Sequence, residues 1–179
     1  MDLNGCEFET ERLLVREWHA LVTGDWQARD LAETVAELLT PAVTHALPPD
    51  WGGEYDAERA RRWIADRDAE GVTLLVVERS SGDPVGLLIL TDGAENDGPV
   101  GVRLGYLLVE RGWGRGLGSE LVAGFVGWCR ENGVASISGG VAIDNPASAR
   151  VLVKNGFQPV QTEDAAGMGE QLFRLDLSS

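Results

Sequence analysis

The 179 residues are 44% apolar and 25% charged, which fits one globular domain, taken as residues 1–179, and excludes a disordered or fibrous chain. The net charge of −14 repels nucleic-acid backbones; it serves solubility in the plainer reading and draws a cationic acceptor, such as an amine, a polyamine or a basic peptide, in the sharper one. Cys6 and Cys129 have no metal-ligand spacing, no apolar run reaches the roughly 18 residues of a membrane span, and the acidic start from Met1 to Phe8 is no signal peptide, so a reduced, cytoplasmic setting with no membrane or nucleic-acid partner is expected.

Residues 12–18 predict a first strand, apolar and β-branched in the middle. Residues 30–39 predict a helix, because Leu31, Val35, Leu38 and Leu39 recur at helical spacing; Asp25 and Trp26 also read as helical. Pro41 ends that helix, and residues 40–53 read as a loop broken by Pro48-Pro49 and Gly52-Gly53. A second amphipathic helix over 56–70 turns Ala60, Trp63 and Ile64 inward and stops at Gly71. Strands at 73–78 and 85–91 flank the turn residues Ser81-Gly82-Asp83-Pro84 and form a hairpin. After a polar, acidic loop at 92–99 comes a strand at 102–108, then a helix at 117–132. That helix carries a stripe of Leu117, Leu121, Val122, Phe125, Val126 and Cys129 and ends at Gly133. A strand at 136–141, a helix at 146–155 and strands at 157–161 and 172–177 complete an α/β order, a mixed sheet with helices on its faces and no internal repeat.

Two segments carry chemistry. Gly112, Gly114, Gly116 and Gly118 alternate with larger residues between the strand at 102–108 and the helix at 117–132. Glycine lets a backbone approach a ligand and take positive φ, and the first N–H groups of a helix lack internal partners and sit at the positive end of its dipole. A pyrophosphate suits such a turn, with Arg115 to add charge; a tight structural turn needs no ligand at all. A Walker A loop would need a lysine that is absent here. A dinucleotide fingerprint started at Gly112, Gly114 or Gly116 places Leu117, Ser119 or Leu121 where its last glycine belongs. A nucleotide-binding α/β protein is therefore the weaker alternative. In the second segment Asn145 caps a helix, Pro146 fills its first turn and Gly156 ends it, which leaves only Ser148 without a structural reason beyond being small and polar.

Trp113-Gly114-Arg115-Gly116-Leu117-Gly118-Ser119-Glu120 resembles the acetyl-CoA pyrophosphate loop of the GNAT acetyltransferases, written Gln/Arg-x-x-Gly-x-Gly/Ala. Trp113 stands where Gln or Arg is usual, a substitution also found in the ribosomal-protein N-acetyltransferase branch. The run from Asn145 to Phe157 resembles the family's Asn-x-x-Ser…Lys-x-Gly-Phe segment, and Glu9 to Arg16 resembles that branch's Thr-Glu-Arg-Leu start. The resemblance implies a mostly antiparallel mixed sheet flanked by helices and acetyl-CoA as co-substrate. It places the pyrophosphate on Gly114, Arg115, Gly116, Leu117, Gly118 and Ser119, with Trp113 and Asn145 at the same site. It also implies that the strand at Tyr106, Leu107 and Leu108 splays from its neighbour and pairs with the pantetheine arm.

The acceptor implied is a primary amine, on a protein N-terminus or a small molecule, and dimers are common in the family. Many members protonate the leaving thiolate with a tyrosine two residues before the helix-ending lysine. Here that position is Leu152, and Ser148, the serine assigned the role in the ribosomal-protein branch, takes its place. The backbone N–H of Leu108 is the expected oxyanion donor. Glu17, Glu78, Glu110, Glu163 and Glu170 lie near strand ends and are candidate bases, though each is more simply a solvated carboxylate. His19 and His45 lack metal spacing; the resemblance places His45 at the acceptor entrance, where Trp51 and Trp26 are further candidates. The missing tyrosine and the unassigned base keep a catalytically silent acetyl-CoA-binding module as the alternative.

Overall fold

A computed structural model describes residues 3–23, 30–93, 101–161 and 169–177. In chain order the elements are β1 (Phe8–Glu9), β2 (Leu13–Glu17), α1 (Trp18–Thr23), α2 (Leu31–Leu38), α3 (Pro41–Thr44), α4 (Ala57–Glu70), β3 (Gly71–Glu78), β4 (Asp83–Asp92), β5 (Gly101–Leu108), α5 (Leu117–Glu131), β6 (Ser136–Ala142), α6 (Pro146–Lys154), β7 (Gln158–Val160) and β8 (Glu170–Asp176). The strands make one sheet in the order β1-β2-β3-β4-β5-β6-β8-β7. The pair β5/β6 is parallel and the other pairs are antiparallel, so the sheet is mixed and mostly antiparallel, as expected.

β3 and β4 hold the middle of the sheet because both of their faces are apolar. Leu74, Leu75, Val76 and Val77 on one, and Val85, Leu87, Leu88 and Leu90 on the other, are all buried. A strand covered on both sides reads as a continuous apolar run rather than an alternation. The predicted stripe of α5 is buried in full, from Leu117 to Cys129, and each large side chain so buried contributes about 1.5–3 kcal/mol. Asp30 and Asp56 cap α2 and α4 through their carboxylates, which is why both helices begin where the spacing placed them.

Residues 40–53 depart from the expected loop. Thr40 caps α3 and Pro41 occupies its first turn, so this proline starts a helix as well as following one, and a 3-10 turn covers Pro49–Trp51. Trp18, read as the end of a strand, begins α1, whose first N–H groups at His19 and Ala20 donate to the Glu17 carboxylate. β1, a two-residue strand, had no periodicity to show. Asp25, Trp26, Glu163 and most of the 92–99 loop lie outside the described residues.

Two features of the sheet set up the site. β5 and β6 pair only at Gly101↔Ser136, Val102↔Ile137 and Arg103↔Ser138, while β5 stays paired with β4 as far as Leu108 and β6 stays paired with β8 as far as Ala142. Held by different partners, the two strands diverge and open a wedge. The second feature is a clamp on the first turn of α5. The Glu120 carboxylate accepts from Thr10 Oγ1 at 2.6 Å, from the Arg12 backbone N–H at 2.8 Å and from Arg12 Nε at 2.6 Å, and Arg12 Nη1 reaches the Arg115 carbonyl at 2.8 Å. The Thr-Glu-Arg start of the chain thus ties the strand β2 to the glycine-rich turn.

Partial burial raises the Glu120 pKa, but the hydrogen bonds from Thr10 and Arg12 and the Arg12 charge outweigh it and hold the carboxyl below its ordinary value of 4.5. A depressed carboxylate contributes stability that is present above its unfolded pKa and lost as pH falls through the folded one. Glu120→Gln is therefore expected to cost about 2 kcal/mol at pH 7, with the gap to the parent protein closing as the pH is taken well below 4.5. Urea denaturation of both proteins at neutral and acid pH checks this; an equal gap at both would mean that the clamp is not ionic.

Candidate active site

The wedge and the turn after β5 enclose a cavity of about 600 Å³, bordered by β5, the start of α5, one face of α6 and the end of α3. Gly114 and Gly116 stand at φ +68° and +77°, in the left-handed region that glycine takes without strain. Gly116 is the N-cap of α5 and has no side chain to cap it, so the first-turn N–H groups of the helix are left for a ligand. At Gly118 a Cβ would already touch Tyr106, Leu108 and Val151 at 3.6 Å; glycine there keeps the floor of the cavity open. The Trp113 indole N–H donates to the Leu108 carbonyl at 2.8 Å and pins the turn to the end of β5.

Positive charge enters this cavity from α6, whose Arg150 and Lys154 lie on its wall one helical turn apart. Arg115 is turned elsewhere. Its guanidinium pairs with the Glu78 carboxylate, one contact being 3.3 Å, and this hydrogen bond pulls the Glu78 pKa down. The unpaired edge of β5 also faces the wedge. Val109 N–H donates to Val85 O on the β4 side at 2.9 Å, and alternation along the strand turns the Leu108 and Tyr106 N–H groups the other way.

A second cavity, of about 400 Å³, lies on the other side of the wedge. It is walled by Leu47, Trp51, Ile89 and Leu104, and by the charged side chains Arg67, Glu70, Arg103 and Glu170. Tyr106, Leu107, Asn145 and Ser148 border both cavities. At that junction the Tyr106 hydroxyl and Ser148 Oγ share a hydrogen bond of 2.8 Å. Asn145 Oδ1 accepts from the Ser148 backbone N–H at 3.2 Å and so caps α6. Burial pushes the Tyr106 phenol above its ordinary pKa of 10, against a smaller opposing effect of the bond to Ser148, so the phenol holds its proton at neutral pH.

Of the residues expected from the sequence, Tyr106, Leu107, Leu108, Trp113, Gly114, Gly116, Leu117, Gly118, Ser119, Asn145 and Ser148 come together on the larger cavity, while Arg115 does not border it. His45, which the resemblance placed at the acceptor entrance, borders that cavity and not the smaller one described above. Trp51 borders the smaller one. Among the candidate bases, Glu17 caps α1, Glu78 is held by Arg115, Glu110 is exposed, and Glu170 lines the smaller cavity. Arg67, Glu70 and Arg150 were not foreseen, and Lys154 only as the lysine of the Asn145–Phe157 motif. Arg150 and Lys154 flank the Ser148 motif at helical spacing, a signal open to reading; Arg67 and Glu70 end an amphipathic helix whose neighbour was not legible. Among the described residues no cluster of His, Cys, Asp and Glu is built to hold a metal, and no helix is long and apolar enough to cross a membrane.

An acetyltransferase of the GNAT family from Bacillus anthracis has the same fold, with a TM-score of 0.72 over 96% of this chain and 99% of the other at 17% identity. A ribosomal-protein-S5-alanine acetyltransferase from Vibrio fischeri matches with a TM-score of 0.65 over 97% and 98% at 15% identity. A Salmonella typhimurium protein solved with its cofactor acetyl-CoA matches with 0.65 over 94% and 96% at 19% identity. At such identities the likeness is one of fold. No curated protein matches the chain by sequence. The family profile described as "Acetyltransferase (GNAT) domain" matches residues 21–158, most of the chain and both chemistry-bearing segments. On that match the chain belongs to the GNAT acetyltransferase family: it is an N-acetyltransferase with acetyl-CoA as its co-substrate.

Proposed function

We propose that this chain, in the cytoplasm and as a single domain, moves the acetyl group of acetyl-CoA to a primary amine, on a small molecule or a protein N-terminus, that enters through the smaller cavity. The observation that carries this reading is the meeting of two cavities at the Tyr106–Ser148 hydrogen bond. Two substrates approaching from opposite sides of a sheet need such a junction for their reacting atoms to meet.

The larger cavity fits CoA. The uncapped start of α5, the positive-φ glycines and the cations Arg150 and Lys154 suit its phosphates, and the unpaired edge at Tyr106 and Leu108 suits its amide-bearing arm. When bound, the co-substrate supplies an activated thioester carbonyl; the remaining tasks fall to the chain. Leu108 N–H donates to the carbonyl oxygen as charge builds on it. Ser148 gives its proton to the departing sulfur, Tyr106 replaces that proton from its phenol, and water returns one to Tyr106 as Glu170 releases the amine's proton to solvent. Leu152, at the position of the family tyrosine, is buried and has none to give. Glu170, in the acceptor cavity, takes the proton of the attacking amine through water. The silent-module reading is weakened because a phenol reaches the junction from β5 instead of α6.

Ser148→Ala and Tyr106→Phe are each expected to lower kcat by about 10–100-fold, with little change in acetyl-CoA affinity, and the double variant should be little worse than either alone because the two act as one proton path. Thiol-release rates paired with calorimetry check this, and undiminished rates would remove the pair from the mechanism. Gly118→Glu places a carboxylate on the floor of the larger cavity without demanding positive φ. It should weaken acetyl-CoA binding by at least about 100-fold while the fold, followed by circular dichroism, is kept; retained affinity would mean that the glycine-rich turn is no phosphate site.

A further inference from the structure

The smaller cavity carries a buried cation that the protein only partly satisfies. Arg67, in the last turn of α4, is 8% exposed and borders the cavity. Its guanidinium stacks 4.4 Å from the centroid of Trp51 and lies 5.4 Å from that of Trp63. Nη2 donates to Glu70 Oε1 at 2.9 Å, and Glu70 itself is 56% exposed. Nε is shut off from solvent and has no acceptor among the described residues. A guanidinium offers five N–H donors in a planar fork. Burying one with a single, half-solvated carboxylate leaves most of its desolvation cost unmet.

Across the cavity stands a second, looser pair. Arg103 Nη2 lies 3.9 Å from Glu170 Oε2, too far for a hydrogen bond. The pair crosses β6 at Gly140, where a Cβ would come within 2.8 Å of Glu170 Oε2 and 3.3 Å of Arg103 Nη2. The walls thus hold two guanidiniums and two carboxylates in a chain whose net charge is −14. The general acidity of the protein points to a cationic guest, and the cavity does not: a polyamine would meet two arginines there.

From this we infer that the acceptor is a small zwitterion, an amine with a carboxylate close by, of the α-amino acid class. The inference rests on the acetyl-transfer reading and sharpens its acceptor. The carboxylate pairs with the Arg67 guanidinium where it borders the cavity, a charge-assisted contact that Glu70 alone does not saturate, and the amine is left toward the Tyr106–Ser148 junction and Glu170. A volume of about 400 Å³ suits a molecule of that size. A protein N-terminus presents its first carboxyl as an amide and brings no such anion.

The test uses the whole protein and two readouts. In thiol release with acetyl-CoA, free amino acids are compared with their amides, their decarboxylated amines and spermidine. In calorimetry at saturating CoA, N-acetyl amino acids are compared with their amides, which reads carboxylate capture without turnover. Free acids are expected to lead by on the order of 10–100-fold in kcat/KM and in affinity, and Arg67→Gln to erase the lead through KM, with Arg67→Lys restoring part of it. The comparison within the parent protein stands even if a variant fails to fold. Amides, amines or spermidine that bind and react as well as the acids would overturn the inference. Preferential binding of acids without thiol release from any acceptor would leave the carboxylate site standing and sink the transfer reading instead.

Discussion

A sheet that opens in its interior leaves one edge of β5 without a partner strand among the described residues, and this wedge between β5 and β6 is what the rest of the molecule is arranged around. The divergence begins after Arg103 and Ser138. From there the N–H and C=O groups on one side of β5 have no strand to pair with among the described residues, although the strand is buried at Leu107 and Leu108. Unmade hydrogen bonds at such a place are costly. They are tolerated because the remainder of the sheet is over-determined: β3 and β4 are buried on both faces, and β6 is zipped to β8 along its whole length. A ligand that offers amides to this edge recovers what the fold forgoes, so affinity and fold share one origin.

The glycine-rich turn depends on that wedge and is held in place by charge at its back. Arg12 binds Glu120 and the Arg115 carbonyl, while the Arg115 side chain binds Glu78. Both arginines sit behind the loop as structural cations, and Trp113 fastens its leading edge to Leu108. The positive charge that borders the larger cavity comes instead from the helix end and from α6. This division leaves the loop backbone, with its two positive-φ glycines, to turn its N–H groups toward a ligand.

Most of the fold was legible before the structure. The stripe of α5, the hairpin of β3 and β4, and the helix opened by Asn145 and Pro146 follow from periodicity and from turn chemistry. What escaped was set by tertiary context. β1 is two residues long and exists because it pairs with β2 and packs Phe8 near α5. α3 spans four residues, below the length at which a period can be seen. In the site, motif positions were legible as positions, but not the direction of their side chains. Arg115 belongs to the loop by sequence and to Glu78 by geometry. Tyr106 read only as part of the strand that pairs with the pantetheine arm, because its hydroxyl partner is 42 residues away in the chain.

On the proposed mechanism, that last pairing lets the reaction keep its proton path while the residue at its usual position changes. The helix α6 places Leu152 against the core, where a hydroxyl would have to be satisfied or lost. β5 reaches the same junction from the opposite side, and a tyrosine there projects its phenol across the wedge to Ser148. Because strand and helix converge on one point, either can deliver the group, and the chemistry constrains the place of the proton more tightly than the element that brings it. The same convergence couples the two substrates: Tyr106 and Ser148 border both cavities, so on the proposed mechanism an acceptor that displaces water from one side also dries the hydrogen bond that serves the other, and strengthens it.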